Sequence, residues 1–255
     1  MRSPVVEGQD ITNCPTCNGV VRIVRRADGA ADHYEHADIL IDGVELEPQN
    51  EDVAARLRVL RKGKKTVALV GMSSTSCSLA PYTESGVEIW GLNEAHAFKW
   101  MKKADRWFQI HSPQSVSREV QKRDIKGHYD WLKENKWGIP IYMQHHDVSV
   151  PHCKAYPLDE VCDMAFKNFR RGDAKVKYFT STFAYFMGLA LLEKFERIEI
   201  YGFELAGDVE YVKQKACAEF WIGQALGRGV EVYTPPNCQI LFSPLYGGNE
   251  QGEGW

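Results

Sequence analysis

Five short polar segments hold the side chains that could do chemistry, and each borders an apolar run. The first is Gly71-Met72-Ser73-Ser74-Thr75-Ser76, directly after TVALV. Small residues let a backbone come close to an anion. The hydroxyls of Ser73, Ser74, Thr75 and Ser76, with amides at a helix start, can hold phosphate oxygens. A phosphate-bearing ligand is therefore expected at this turn; the alternative is an ordinary capped strand-to-helix turn. The segment is neither GxGxxG nor GxxxxGK, which disfavours classical dinucleotide and P-loop chemistry.

The second segment is Gly91-Leu92-Asn93-Glu94, where the amide of Asn93 could read a base or ribose edge, or simply cap the next helix. In the third, His111 ends RWFQIH and offers an imidazole as a general base or a phosphate ligand, against a structural role. Asp105 precedes the same run and belongs at the opposite edge. Thr180 and Ser181 form the fourth, placing hydroxyls just before the apolar stretch FAYFMGLALL, at a helix start that suits an anion. The fifth is Gly202-Phe203-Glu204 with Tyr211 nearby. Glu204 is the best single acid in the chain for orienting a sugar hydroxyl or taking a proton, although a strand-end carboxylate also caps helices.

Metal chemistry has one candidate place. Cys14-Pro15-Thr16-Cys17 before VVRIVRR looks like half of a zinc ribbon, and His33 and His36 follow at a workable distance as the other two ligands. A vestigial ribbon or a plain β-hairpin is the alternative. His145-His146-Asp147 and His152-Cys153 imitate metal spacing only superficially. There is no Asp-x-Asp triplet of the kind that holds a divalent cation on a sugar diphosphate, which favours metal-independent transfer.

The elements that must position these residues alternate. TVALVG, VEIWGLN, RWFQIH, IPIYM, RIEIYGF and VEVYT read as strands. Between them, helices are expected around Ala95 to Lys103, Gly127 to Glu134, Leu158 to Phe166, Thr182 to Lys194 and Glu210 to Leu226. That alternation predicts an α/β fold with a mainly parallel sheet flanked by helices, whose ligand lies beyond the carboxyl ends of the strands. EDVAARLRVL predicts a connecting helix, and Arg61-Lys62-Gly63-Lys64-Lys65 after it reads as a solvated linker or a phosphate-backbone contact. The division expected is a zinc-ribbon-like element over 1–45, a helical linker over 46–65 and the α/β domain over 66–255.

A chain of 255 residues suits one sizeable core plus a small appendage. A net charge of -3 argues against a protein that grips nucleic acid through its overall field, though a local groove could be positive. The seven cysteines are an odd number, Cys77, Cys153, Cys162, Cys217 and Cys238 are scattered without a disulfide-like rhythm, no apolar run approaches bilayer length, and MRSPVVEGQD lacks the order of a signal peptide. A soluble, intracellular protein with no membrane partner is expected.

Taken in order, GMSSTS, GLNEA, YFTSTFAYFMGLALL, RIEIYGFEL and VEVYTPPNCQIL resemble phage and bacterial proteins related to the sialyltransferase-like glycosyltransferases and to the archaeal pterin pyrophosphokinase-like fold. The resemblance runs from about Thr66 to Tyr246. It implies a Rossmann-like domain that binds a nucleotide-activated sugar as co-substrate. Gly71 to Ser76 would lie near the phosphates, Asn93 near the nucleotide and Thr180-Ser181 beside the donor. His111 or Glu204 would be the base, and Tyr211 or Ser181 would hydrogen-bond the leaving phosphate. Phage relatives suggest a hydroxymethylated pyrimidine such as hydroxymethylcytosine in double-stranded DNA as acceptor, in the host cytoplasm. A structural zinc, Arg22, Arg25, Arg26 and the 61–65 basic cluster would then help to hold the duplex. The rival readings are transfer to a glycan or small molecule, Mg²⁺-dependent pyrophosphoryl transfer, and a nucleotide- or DNA-binding module without turnover.

Overall fold

The computed structural model describes residues 51–111, 127–205 and 209–236, positions 238, 240 and 241, and three short strands near the amino terminus. Those strands, β1 (Ile11–Asn13), β2 (Val20–Arg25) and β3 (Ala31–His36), form an antiparallel sheet in the order β1-β2-β3. His33 and His36 both belong to β3, paired with Val24 and Val21 of β2. Cys14 and Cys17 lie outside the described residues, and so does the zinc reading that depends on them.

The large sheet has seven strands: β4 (Thr66–Val70), β5 (Val87–Leu92), β6 (Arg106–Gln109), β7 (Ile141–Met143), β8 (Cys153–Ala155), β11 (Arg197–Tyr201) and β12 (Glu231–Tyr233). Their order is β12-β11-β4-β5-β6-β7-β8, and every neighbouring pair is parallel. A parallel sheet is covered on both faces, so its central strands must be apolar throughout. All five residues of both β4 and β11 are buried, and Thr66, Arg197 and Glu199 are the polar exceptions among them. A separate two-stranded hairpin joins β9 (Arg170–Arg171) to β10 (Ala174–Lys175).

Five α-helices are described: α1 (Glu51–Arg61), α2 (His128–Glu134), α3 (Leu158–Phe166), α4 (Thr182–Leu192) and α5 (Val209–Leu226). One face of the sheet, through Leu69, Phe108 and Ile200, packs on α3, α4 and α5 through Val161, Phe186 and Trp221. The other, through Val70, Trp107 and Met143, packs on Leu132 of α2 and on the loops carrying Cys77 and Tyr82. Helix α4 has eight buried residues and no polar face, as befits a helix sunk between the sheet and its neighbours. Full burial of each of its large apolar side chains stabilises the fold by about 1.5–3 kcal/mol.

Two expectations for this domain change. The helix expected over Ala95 to Lys103 is a 3-10 turn over Asn93–Ala97, followed by extended Phe98. Asn93 takes a left-handed φ of 47°, and its carbonyl accepts the indole N–H of Trp107 at 3.1 Å, the acceptor that a first α-helical bond would need. The strand β8 is additional to the six runs expected.

The connectivity fixes where a ligand can sit. From β4 the chain steps through β5 and β6 to β8, then α3 and α4 carry it back to β11, on the other side of β4. Connections leave β4 and β11 in opposite directions, which opens a crevice beyond their carboxyl ends.

Candidate functional site

Gly71 follows β4 and Gly202 follows β11, so both stand at that crevice. Their backbones are in contact: Gly71 N–H donates to Tyr201 O at 2.8 Å and Ser73 N–H to Gly202 O at 2.9 Å. A Cβ on Gly71 would fall 2.2 Å from the Gly202 oxygen, so only glycine allows this approach. Gly202 also needs a left-handed φ of 67°.

The hydroxyls of the serine-rich turn tighten the same contact. Ser76 Oγ accepts the Gly202 N–H at 2.8 Å. Ser73 and Thr75 share a hydroxyl bond of 3.1 Å, and Thr75 Oγ1 donates to Glu204 Oε1. Ser74 alone among the four makes no hydrogen bond to the described residues. The turn leads into a three-residue 3-10 segment, Cys77–Leu79, not an α-helix, so no substantial helix dipole faces it. The turn is thus chiefly a clasp that fixes Glu204, and a phosphate against Thr75 would meet that carboxylate.

Two other expected residues stand out by what they lack. Asn93 Oδ1 and Ser181 Oγ are buried without a hydrogen-bond partner among the described residues. Neither is acting as a cap: Asn93 opens its 3-10 turn and Ser181 precedes α4, yet neither element has a side-chain cap bond. Buried polar groups are ordinarily paired, so an orphan calls for an explanation such as a ligand or a water. Thr180, exposed beside Ser181, donates to the Lys213 carbonyl at 3.2 Å and so ties the start of α4 to α5. Tyr211 is in the first turn of α5, and its side chain lies outside the description.

His111 is exposed just past β6. Glu204 and His111 follow strands separated by β4 and β5, so at about 4.8 Å per strand their strands are roughly 14 Å apart. The two proposed bases therefore do not face one reacting atom together.

Sequence reasoning missed a cluster beside Asn93. Gln109, the last residue of β6, is 1% exposed and its Oε1 lies 2.8 Å from His128 Nε2. His128, fully buried at the start of α2, lies through Nδ1 2.8 Å from His96 Nε2. The only signal in the sequence is a polar residue closing an apolar strand. Nothing links it to histidines in two other segments.

The described residues contain no group of three or more histidines, cysteines or acids placed to hold a metal ion. No described helix is long and apolar enough to cross a membrane. Two surface cavities lie elsewhere, one by Cys162, Phe166 and Val176 and one by Lys64, Phe195, Arg228 and Glu231.

The chain is similar in outline to a sialyltransferase. CstII from Campylobacter jejuni, in complex with cytidine-5'-monophosphate, matches at 10% identity with a TM-score of 0.42, over 68% of this chain and 81% of that one. The same enzyme in complex with CMP-3FNeuAc matches at 12% identity with a TM-score of 0.41, over 69% and 81%. No family model and no curated protein matches the chain.

The basic cluster has a different place. Arg61 donates twice to Glu199, at 2.9 and 2.6 Å, and Lys64 pairs with Glu231. Lys65 bonds the Glu193 carbonyl at 2.8 Å. These residues occupy the amino edge of the sheet, opposite the crevice, and are engaged in pairs. They are not a free basic patch beside the site.

Proposed function

We propose that the protein is a metal-independent glycosyltransferase using a nucleotide-activated sugar. The observation that carries this reading is the convergence at the switch point: a hydroxyl-rich turn clasps an acid, and buried orphan polar atoms flank it. In the reaction an acceptor hydroxyl attacks the anomeric carbon, the bond from that carbon to the phosphate oxygen breaks, and the acceptor proton passes to Glu204. Thr75 orients that carboxylate.

The phosphates belong at the start of α4. Its first turn has no acidic residue, its N-terminus carries positive partial charge, and the orphan Ser181 hydroxyl can donate to a phosphate oxygen. Tyr211 is the second donor to the leaving phosphate, Asn93 meets the nucleoside, and His111 stands beyond it. Gly71, Ser73, Thr75 and Ser76 shape the acid, with Ser74 free to reach the ligand. The acceptor proposed is the hydroxymethyl group of a pyrimidine in DNA, with zinc at Cys14, Cys17, His33 and His36 as a structural support for that contact.

The test supplies a panel of nucleotide sugars with hydroxymethylcytosine-containing DNA or free glycans and measures release of the nucleotide. Glu204→Gln is expected to cut turnover by about 10²–10⁴-fold, with an unchanged circular dichroism spectrum. Turnover in both Glu204→Gln and His111→Ala at the native rate would place the base elsewhere. Activity abolished by a chelator and restored by Mg²⁺, with zinc content unchanged, would favour pyrophosphoryl transfer.

A further inference from the structure

The cluster beside Asn93 says which part of a nucleotide lies there, and this inference rests on the nucleotide binding proposed above. Gln109 Oε1 has no proton to give, so the bond to His128 requires its Nε2 to donate. A neutral His128 then has a bare Nδ1, and the bond between that atom and His96 Nε2 must be donated by His96. The remaining nitrogen, His96 Nδ1, is left unprotonated. Both rings stay neutral at pH 7. Burial pulls His96 down to about 4, and burial together with the neighbouring His96 and His111 pulls His128 down to about 3.

His96 is also fixed in place. Its ring lies on Trp131 with centroids 4.1 Å apart and planes 6° from parallel. The residue is only half-buried, and among the described residues no donor is bonded to Nδ1. Asn93 opens the same 3-10 turn three residues earlier. Its Oδ1 is one of the two buried orphans flanking the crevice.

We infer that the turn Asn93–Ala97 offers two uncharged acceptors, Asn93 Oδ1 and His96 Nδ1, to hydrogen-bond donors of the nucleoside, with His128 and Gln109 as positioning residues that hold His96 in this tautomer. Such a pair refuses a phosphate oxygen, which only accepts, and selects a group carrying N–H or O–H. In a cytidine or adenosine nucleotide two parts qualify: the exocyclic base amine and the ribose hydroxyls.

Two measurements decide it. In ¹⁵N-labelled protein at pH 7, the ring resonances should show both histidines protonated at Nε2 and bare at Nδ1. His96 with its proton on Nδ1 would overturn the relay. Gln109→Leu should release the tautomer of His96, an effect that mere loss of packing does not produce.

Calorimetry then compares CMP with UMP and AMP with IMP, which exchange amine for carbonyl, and CMP and AMP with their 2'-deoxy forms. Wild type should favour the donor-bearing member about ten-fold in one arm, and that arm names the source. His96→Phe, which keeps the ring stack, should erase the preference while still binding nucleotide. A preference that survives His96→Phe, or its absence in wild type, overturns the inference. A folded protein that binds none of these nucleotides overturns the nucleotide reading and the ligand half of this one together; the tautomers still decide the relay by themselves.

Discussion

At the amino edge of the large sheet, Arg61 and Arg197 converge on Glu199, which is fully buried and also accepts from the Tyr201 hydroxyl, while Arg197 reaches on to Glu231. At the carboxyl edge, Asn93 Oδ1 and Ser181 Oγ are buried with no hydrogen-bond partner among the described residues. Arg106 repeats the first pattern at β6, held by Glu88 and Glu193 and lying 4.8 Å over the Trp90 ring. The two edges of the sheet thus differ: the polar groups of the first are paired, and two of the second are not, which calls for an explanation such as a ligand or a water.

The comparison breaks most directly at Glu199. Glu199→Ala leaves two arginines without their buried partner, and denaturant unfolding should show a loss of about 3–5 kcal/mol. A loss below about 1 kcal/mol, the range of an exposed pair, would mean that the amino edge is not what anchors α1.

The second difference is in pH. Burial leads the lowering of both histidine pKa values, so the unfolded chain binds protons that the folded one refuses below about pH 6.5. Stability contributed by neutral His96 and His128 is complete above that pH and falls as pH drops toward about 4. Near pH 5 the loss should be about 2 kcal/mol for His128 and about 1 kcal/mol for the half-buried His96, whose charge solvent partly screens. His96→Phe should remove the smaller share. Glu199 behaves otherwise. Burial would raise its pKa, but bonds from Arg61, Arg197 and Tyr201 override burial and leave it lowered. Its stabilisation persists above the ordinary carboxylate range and is lost only on stronger acidification. Unfolding curves at about pH 7, 5 and 3.5 separate the two edges.

Gly71→Ala tests the clasp. The added Cβ meets the Gly202 carbonyl, and an overpacking cost of about 1–3 kcal/mol is expected, together with lost turnover through displaced Glu204. Ser181→Ala should have the smallest effect on stability. Removing an unpaired buried hydroxyl is neutral or stabilising by up to about 1 kcal/mol, whereas nucleotide affinity should fall. A clear loss of stability in that variant would show the orphan to be a structural group.

The central strands were legible because a parallel sheet buries both faces, and runs such as TVALV and RIEIY have no other easy reading. β8 was not, since its three residues Cys-Lys-Ala include one buried side chain and form an edge. The turn at Asn93 was misread as helix because AHAFKWMKK has good helix formers, while the indole that takes its carbonyl comes from the next strand. Glu204 and the serine turn were legible as strand-end polar residues. Their bond to each other was not, because 129 positions separate Thr75 from Glu204. The histidine relay failed for the same reason: its members come from three segments brought together by packing.

The bond from Gly202 N–H to Ser76 joins positions 126 apart in the chain. Synthesis releases the serine turn early, and the loop that completes it arrives only after β5 to β8 and α4 have been made. Closing so long a loop is slow and costly in entropy. A nascent chain can therefore be well packed over much of its length and still have no working crevice. The proposed site is complete only when β11 pairs with β4, so ligand binding there would be a late and sensitive reporter of completed folding.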